Sequence, residues 1–247
     1  MNRHALTDEQ WSAVSPRIPQ QRGPQSERAN RNFIDAVVWL ATAGAPWRDL
    51  DASFGPWKTV YNRFRNWALR GWWKQLFRDT PFEEKVGSIL DASIVRAHQD
   101  AAGGRGGPAA NALGRSRGGF STKIHAVVTL DGQPIELRLT PGQQHEATLA
   151  EELLDFVHGE HCLADGGYDA DRILQAACDR ELKAVIPPSR ARRHRRRIDR
   201  ELYRLRYRVE VFFHRLKRYR RITTRYDKTS TCFMGSVYVI CALMTFA

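Results

Sequence analysis

The residues able to do chemistry in this sequence are a few acids set among bases. Tyr203, Arg206, Glu210 and Lys217 stand at offsets of 3, 7 and 14 from the tyrosine. In an α-helix, which advances about 100° per residue, all of them fall within an arc of roughly 60°. Leu202, Leu205, Val209, Phe212, Phe213 and Leu216 form an apolar stripe beside that arc. Glu210 is therefore expected where a helix meets both the core and a cleft. A carboxylate held there among arginines serves either an ion-pair network or a metal site that handles phosphate.

Two further acids can join it. Asp91 interrupts the apolar run Val86–Val95, and strand alternation puts it on the face of Ile89 and Ser93. Asp165 closes the short apolar stretch Cys162-Leu163-Ala164 and precedes a Gly-Gly turn. Each acid has a plain structural alternative: an exposed edge position, a turn-shaping Asp, and a pair between Glu210 and Arg206 one helical turn apart. Together they have the composition of a two-metal site, in which carboxylates, waters and substrate phosphate complete the octahedron around Mg²⁺.

The charge balance says what such a site would act on. The chain is 247 residues long with a net charge of +12, yet Arg180–Lys228 alone holds 19 basic and 5 acidic residues. That segment suits a polyanion, because phosphate contacts by Lys and Arg release counterions and give salt-sensitive affinity. Helical periodicity resumes after Ile198 and aromatics are interleaved, so the segment belongs to a folded unit and not to a tail. Cys162, Cys178, Cys232 and Cys241 have no metal-ligand spacing and read as reduced thiols. No signal peptide is visible, and the apolar stretch Val237–Phe246 is too short to span a bilayer. A cytoplasmic, nucleoid-associated protein with no membrane partner is expected.

The elements that must position these residues divide the chain at about Thr80. All seven tryptophans lie between Trp11 and Trp73. Residues 1–80 are predicted to form a small all-α domain. Thr7 and Gln10 make a capping box before a helix that Pro16 stops. A longer helix runs over Ser26–Thr42 and ends at Gly44, another follows Pro56, and a short one covers Trp72–Phe77. A helix, a glycine-containing turn and a basic helix are compatible with a helix-turn-helix DNA reader, although a bundle for dimerisation would look the same. The tryptophans are read as core.

Residues 81–247 are predicted to form an α/β domain. Strands at Val86–Val95, Lys123–Leu130 and Gln133–Thr140, the last two joined by Asp131-Gly132, come first. Helices at His145–Val157 and Asp171–Arg180 then alternate with strands at Cys162–Ala164 and Lys183–Ile186, giving a mixed sheet flanked by helices. Asp100–Phe120, with seven glycines and Arg105, Arg115 and Arg117, is expected to be a disordered insertion or a basic loop that orders on DNA.

These residues resemble the DDE transposases of bacterial insertion sequences, in the group that joins a helical N-terminal domain to a ribonuclease-H-like catalytic domain. Tyr203-x2-Arg206-x3-Glu210-x6-Lys217 matches the signature around that group's third acid at every position. Leu90–His98 resembles the block around the first acid, and Leu163–Asp169 the block around the second. Gly114–His125, Thr140–Gln143 and Gly44–Leu50 resemble further segments, so the likeness covers nearly the whole chain. It departs at Gly166, where many relatives carry a polar residue. That raises Asp169 as an alternative second ligand. Asp165 is preferred because it directly follows the strand, whereas Asp169 is placed to start the next helix.

The resemblance implies a ribonuclease-H-like fold in which Asp91, Asp165 and Glu210 hold two Mg²⁺ (or Mn²⁺) ions. The ions would support cleavage of double-stranded DNA at terminal inverted repeats and transfer of the end into target DNA. A homodimer is expected in the synaptic complex. Arg206 and Lys217 are expected to hold phosphate, Tyr203 to contact a base or phosphate, and Arg192, Arg193, Arg195, Arg196 and Arg197 to supply backbone affinity. Two other classes remain open at this point. A metal-dependent nuclease would use the same acids without strand transfer, and a DNA-binding regulator would need none of them.

Overall fold

The structure is a computed structural model that describes residues 5–19, 26–82, 86–116, 118–193 and 196–246. In chain order the helices are α1 (Asp8–Val14), α2 (Glu27–Ala43), α3 (Trp57–Leu69), α4 (Trp72–Arg78), α5 (Gly107–Ala110), α6 (Ala150–Leu154), α7 (Asp171–Cys178), α8 (Arg200–Arg204), α9 (Tyr207–Leu216), α10 (Arg220–Thr223) and α11 (Ser230–Thr245). The strands are β1 (Gly87–Ala97), β2 (Gly114–Ser116), β3 (Gly119–Thr129), β4 (Pro134–Pro141), β5 (His161–Leu163), β6 (Lys183–Val185) and β7 (Thr224–Arg225). The chain forms two compact units. The first comprises Met1–Pro81, Arg96–Asn111 and Leu216–Ala247, and the second Phe82–Val95 and Ala112–Arg215.

In the first unit the local signals act as expected. Thr7 Oγ1 accepts from the Gln10 N–H at 3.2 Å and Gln10 Oε1 accepts from the Thr7 N–H at 3.1 Å, closing the capping box of α1. Ser26 caps α2, and Gly44 ends it in the left-handed region at φ 73°. Two 3₁₀ turns, Trp47–Asp49 and Ala52–Phe54, lie between α2 and α3. Phe33, Phe64, Trp67 and Trp73 pack with ring centroids 4.9–5.4 Å apart and build the core with Trp11. The late apolar stretch is α11, buried on every side and packed against α3 and α4. Gly235 makes that approach possible, since a Cβ there would meet Trp73 Cδ1 at 3.0 Å and Phe64 Cζ at 3.2 Å. No helix among the described residues is long and apolar enough to cross a membrane.

The glycine-rich segment differs from expectation, because it carries structure. A 3₁₀ turn covers Gln99–Gly103, and α5 and β2 follow. The Asn111 Nδ2 donates to Arg105 O at 3.0 Å and Gly107 O at 2.8 Å, while Ala101 is buried. One amide side chain thus supplies the contacts that a run of glycines lacks. Arg117 lies outside the described residues.

The second unit is built on the sheet order β2-β3-β1-β5-β6, with β4 beside β3. The β3/β4 hairpin is antiparallel and turns at Gly132, φ 86°, whose N–H donates to Thr129 O at 2.8 Å. β1, β5 and β6 run parallel. A meander on one side of β1 and parallel strands on the other make the ribonuclease-H-like α/β arrangement. Leu90, Val127, Leu153, Cys162, Ile173 and Ala177 form its core. The helix predicted at His145–Val157 is shorter: a 3₁₀ turn at Glu146–Thr148 leads into α6.

Candidate active site

Asp91 and Asp165 are aligned by strand register. β1 and β5 are parallel with Ile89 opposite Leu163, so each Asp lies two residues further along its own chain. Asp165 follows the carboxyl end of β5, where ligands in open α/β sheets gather, and Asp91 stands mid-strand in β1. Asp91 keeps 15% of its side chain exposed, and its Oδ1 accepts from the Ala92 N–H at 2.7 Å. Burial raises its carboxyl to about 6, and the negative charges of Asp165 and Glu146 add to the rise against the opposing pull of the Ala92 N–H and Arg206. Asp165 caps a 3₁₀ turn, its Oδ1 accepting from the Gly167 N–H at 2.8 Å.

The helix expected to carry Tyr203 through Lys217 is broken. Between α8 and α9 the N–H groups of Arg206, Arg208 and Val209 donate to the carbonyls of Tyr203, Leu205 and Arg206 at 3.0, 3.0 and 3.2 Å. These are bonds to the third residue back, a tighter winding than the α-helix on which the common arc was reckoned. Val209, Phe212, Phe213 and Leu216 are buried as the apolar stripe requires. Glu210, in the first turn of α9, is half-exposed. Tyr203 is half-buried in α8. Lys217 lies one residue past the end of α9, in the segment that belongs to the first unit, and burial lowers its ammonium.

Arg206 joins two of the acids. Its Nη1 lies 3.4 Å from Asp91 Oδ2, and its Nη2 donates to Glu210 Oε1. Three residues that sequence reasoning did not single out complete the surroundings. Glu146 faces the Asp91 charge, and the buried Lys123 lies with Nζ 3.1 Å from Glu146 Oε1 and 2.8 Å from Gln144 O. The Tyr168 hydroxyl is fully buried without a hydrogen-bond partner among the described residues. Its burial, together with the charges of Glu146, Asp91 and Asp165, holds the phenol well above its ordinary value. Lys123 and Tyr168 both lie inside segments already notable for their resemblance, but no spacing marks Glu146, which stands on a 3₁₀ turn without periodicity.

Asp169 is committed elsewhere. Its side chain is 0% exposed, and its carboxylate accepts from the Ser189 N–H at 2.6 Å, Arg192 Nε at 2.7 Å and Arg196 Nη2 at 2.7 Å. Burial alone would raise its pKa, but these donors outweigh that and hold it at about 2. Arg192 also pairs with Asp171 at 2.6 Å. Arg193 and Arg197 are exposed, and Arg195 lies outside the described residues.

The donors offered by Asp91, Asp165, Glu210 and Glu146 are all carboxylate oxygens, the chemistry of hard divalent cations such as Mg²⁺ and Mn²⁺. Among the described residues no three His, Cys, Asp or Glu side chains converge to ligating distance, and Arg206 supplies the counter-charge between Asp91 and Glu210.

Comparison with known proteins gives the family of the chain. Residues 83–244 match the family described as "Transposase DDE domain", and residues 6–77 the family described as "Putative transposase of IS4/5 family". A protein of Brucella ovis named "Putative transposase for insertion sequence element IS6501" is 42% identical over 128 residues, 51% of this chain and 98% of the relative. The uncharacterized protein y4sN of Sinorhizobium fredii is 34% identical over 110 residues, 42% of this chain and 86% of the relative. The solved Mos1 transposase paired-end complex aligns with 14% identity and a TM-score of 0.27, over 70% of this chain and 62% of that one. Members of the matched DDE family generally use divalent metal ions. With the family matched across most of its length, the chain belongs to the DDE transposases of insertion sequences.

Proposed function

We propose that this chain cuts double-stranded DNA at the inverted terminal repeats of its element and joins the freed ends to target DNA, acting as a homodimer in the synaptic complex. The observation that carries this reading is the alignment of Asp91 in β1 with Asp165 just past the end of the parallel strand β5, with Arg206 reaching from Asp91 to Glu210. In cleavage, a water oxygen forms a bond to phosphorus while the bond to the 3′ oxygen breaks, leaving a 3′-hydroxyl and a 5′-phosphate. In joining, that 3′-hydroxyl attacks a target phosphodiester and loses its proton as the leaving oxygen departs.

Asp91, Asp165 and Glu210 would hold two Mg²⁺ or Mn²⁺ ions. Such ions, when bound, lower the pKa of the attacking oxygen and stabilise the leaving one. Arg206 carries a planar fork that can clamp a phosphate bidentately, and Lys217 a point charge for a terminal phosphate. Tyr203 contacts a base or phosphate next to them. Arg192 and Arg196, tied to Asp169, set the course of the basic segment. Arg193 and Arg197 are then presented to the DNA backbone, Arg195 adds to the backbone affinity, and sequence choice falls to the helical N-terminal residues.

The test is to incubate purified protein and Mg²⁺ with a pre-cut repeat end and a target plasmid. Joined product is expected. Cleavage with no joining under any permissive condition would instead make the chain a nuclease. Loss of cleavage in Asp91→Asn with DNA binding retained separates both enzymes from a regulator.

A further inference from the structure

A second site lies wholly within the first unit, and none of the candidate ligands lines it. It is a cleft of about 220 Å³. Its floor is the buried ion pair of Arg221 and Asp227, 3.1 Å apart. Arg221 is fixed there, because its Nη1 donates to Ala45 O at 2.9 Å and its guanidinium carbon lies 5.3 Å from the Trp47 ring centre. The walls are aromatic: Trp47, Trp57, Tyr61 and Tyr226. Trp47 and Tyr61 meet edge to face at 5.2 Å, and Tyr226, 39% exposed, stacks on His98 at 4.8 Å. The rim is cationic. Arg65 and Lys228 line it and are exposed, and Arg48 and Lys58 each lie 5.8 Å from the Trp57 ring centre.

Aromatic walls and a basic rim are complementary to a planar heterocycle that carries an anionic backbone. The volume is below the roughly 300–1,000 Å³ of sites for drug-sized ligands, and suits one base better than a base pair. A paired base offers it nothing, because both its faces are already stacked within the duplex. We infer that this cleft binds a single unpaired nucleotide of a DNA strand, the base between Trp57 and Tyr226 and the phosphate on Arg65 and Lys228. Only the choice of DNA as the source of the nucleotide rests on the proposed transposition reaction.

The test uses the full chain and a short single-stranded oligonucleotide containing 2-aminopurine, whose fluorescence is quenched by stacking, alongside the same sequence as a duplex and the 2-aminopurine mononucleotide. Quenching and tighter binding of the single strand are expected. Trp57→Leu and Tyr226→Leu should each weaken single-strand binding about five- to hundredfold, the range of one base–aromatic stack. Both should leave duplex affinity within about twofold, and Trp57→Phe should restore the quench. Absence of quenching in the unaltered protein, or equal losses for single strand and duplex, would overturn the inference. Equal affinity for the mononucleotide would make this a free-nucleotide site and sink the strand assignment. Asp91→Asn should quench like the unaltered chain, so a failure of the proposed active site leaves this result readable.

Discussion

Arg206 reaches back 115 residues in sequence to Asp91, its Nη1 3.4 Å from the carboxylate, while its Nη2 holds Glu210 four residues on. One guanidinium thus carries the counter-charge for two of the acids proposed to hold metal. The remaining crowding is visible in Asp91, raised to about 6 by burial and then by Asp165 and Glu146. Sites arranged for chemistry store such opposed charge at some cost in stability. Asp91→Asn should therefore melt at the same temperature as the unaltered chain or higher, and should bind DNA within about twofold. Its cleavage rate should fall by roughly 10²-fold or more, the scale on which a single electrostatic group at a reacting centre acts. Thermal unfolding and nicking of a labelled repeat end check both halves, and a variant that fails to fold would contradict the first.

Tyr168 offers a separation of the same kind. Its hydroxyl is buried beside Asp91, Asp165 and Glu146 with no hydrogen-bond partner among the described residues, and an unsatisfied buried hydroxyl costs about 1–3 kcal/mol. Tyr168→Phe should be at least as stable as the parent in urea, while its strand cleavage slows because the O–H dipole beside the charges of Asp91, Asp165 and Glu146 is gone. A destabilised variant with unchanged cleavage would show the hydroxyl to be structural.

His125 should set the acid limb of stability in the second unit. It is fully buried on β3, with Nε2 2.8 Å from Thr140 Oγ1, and burial, aided by the charge of Lys123, lowers its pKa from 6.5 to about 4. A histidine with a depressed folded-state value stays neutral in the fold and takes up its proton on unfolding. Its share of stability is complete above about 6.5 and drains away as pH falls towards 4. Unfolding free energy should drop by roughly 3 kcal/mol across that interval. His125→Gln should flatten the interval in denaturant titrations at stepped pH, and an unchanged slope would refute the assignment.

Asp169 should matter to the fold and only indirectly to DNA. Asp169→Ala removes the acceptor of Arg192, Arg196 and the Ser189 N–H, and should cost about 1.5–3 kcal/mol, the scale of hydrogen bonds to charged groups. Arg193→Ala and Arg197→Ala, at exposed positions, should leave stability unchanged and reduce the slope of log affinity against log salt by roughly one contact each. Equilibrium unfolding and binding titrations between low and moderate salt distinguish the two groups.

Much of this molecule is legible locally, because the signals involved act over a few residues. The capping box at Thr7 and Gln10, the stop at Gly44 and the hairpin at Gly132 are satisfied by neighbours in the chain. The places of Asp91 within β1 and of Asp165 just after β5 follow from apolar runs that must be buried. The winding between α8 and α9 was not legible, since no Gly or Pro marks it and the i→i+3 bonds form where Arg206 is drawn to a strand 115 residues away. Nor was the order in Asp100–Phe120, which hangs on the side chain of Asn111.

By itself, then, the sequence determined which residue types exist to do chemistry and which short elements carry them, because turn chemistry and apolar periodicity are properties of adjacent residues. Only the tertiary structure decided which charges meet. It brought α11 back to the N-terminal helices through a glycine that lets Trp73 approach, and set Asp91 beside Asp165 through the register of two parallel strands. It spent Asp169 on Arg192 and Arg196 and placed Glu146 and Lys123 at the site. Those pairings depend on Coulomb energy and burial between groups distant in the chain, quantities that no local pattern records.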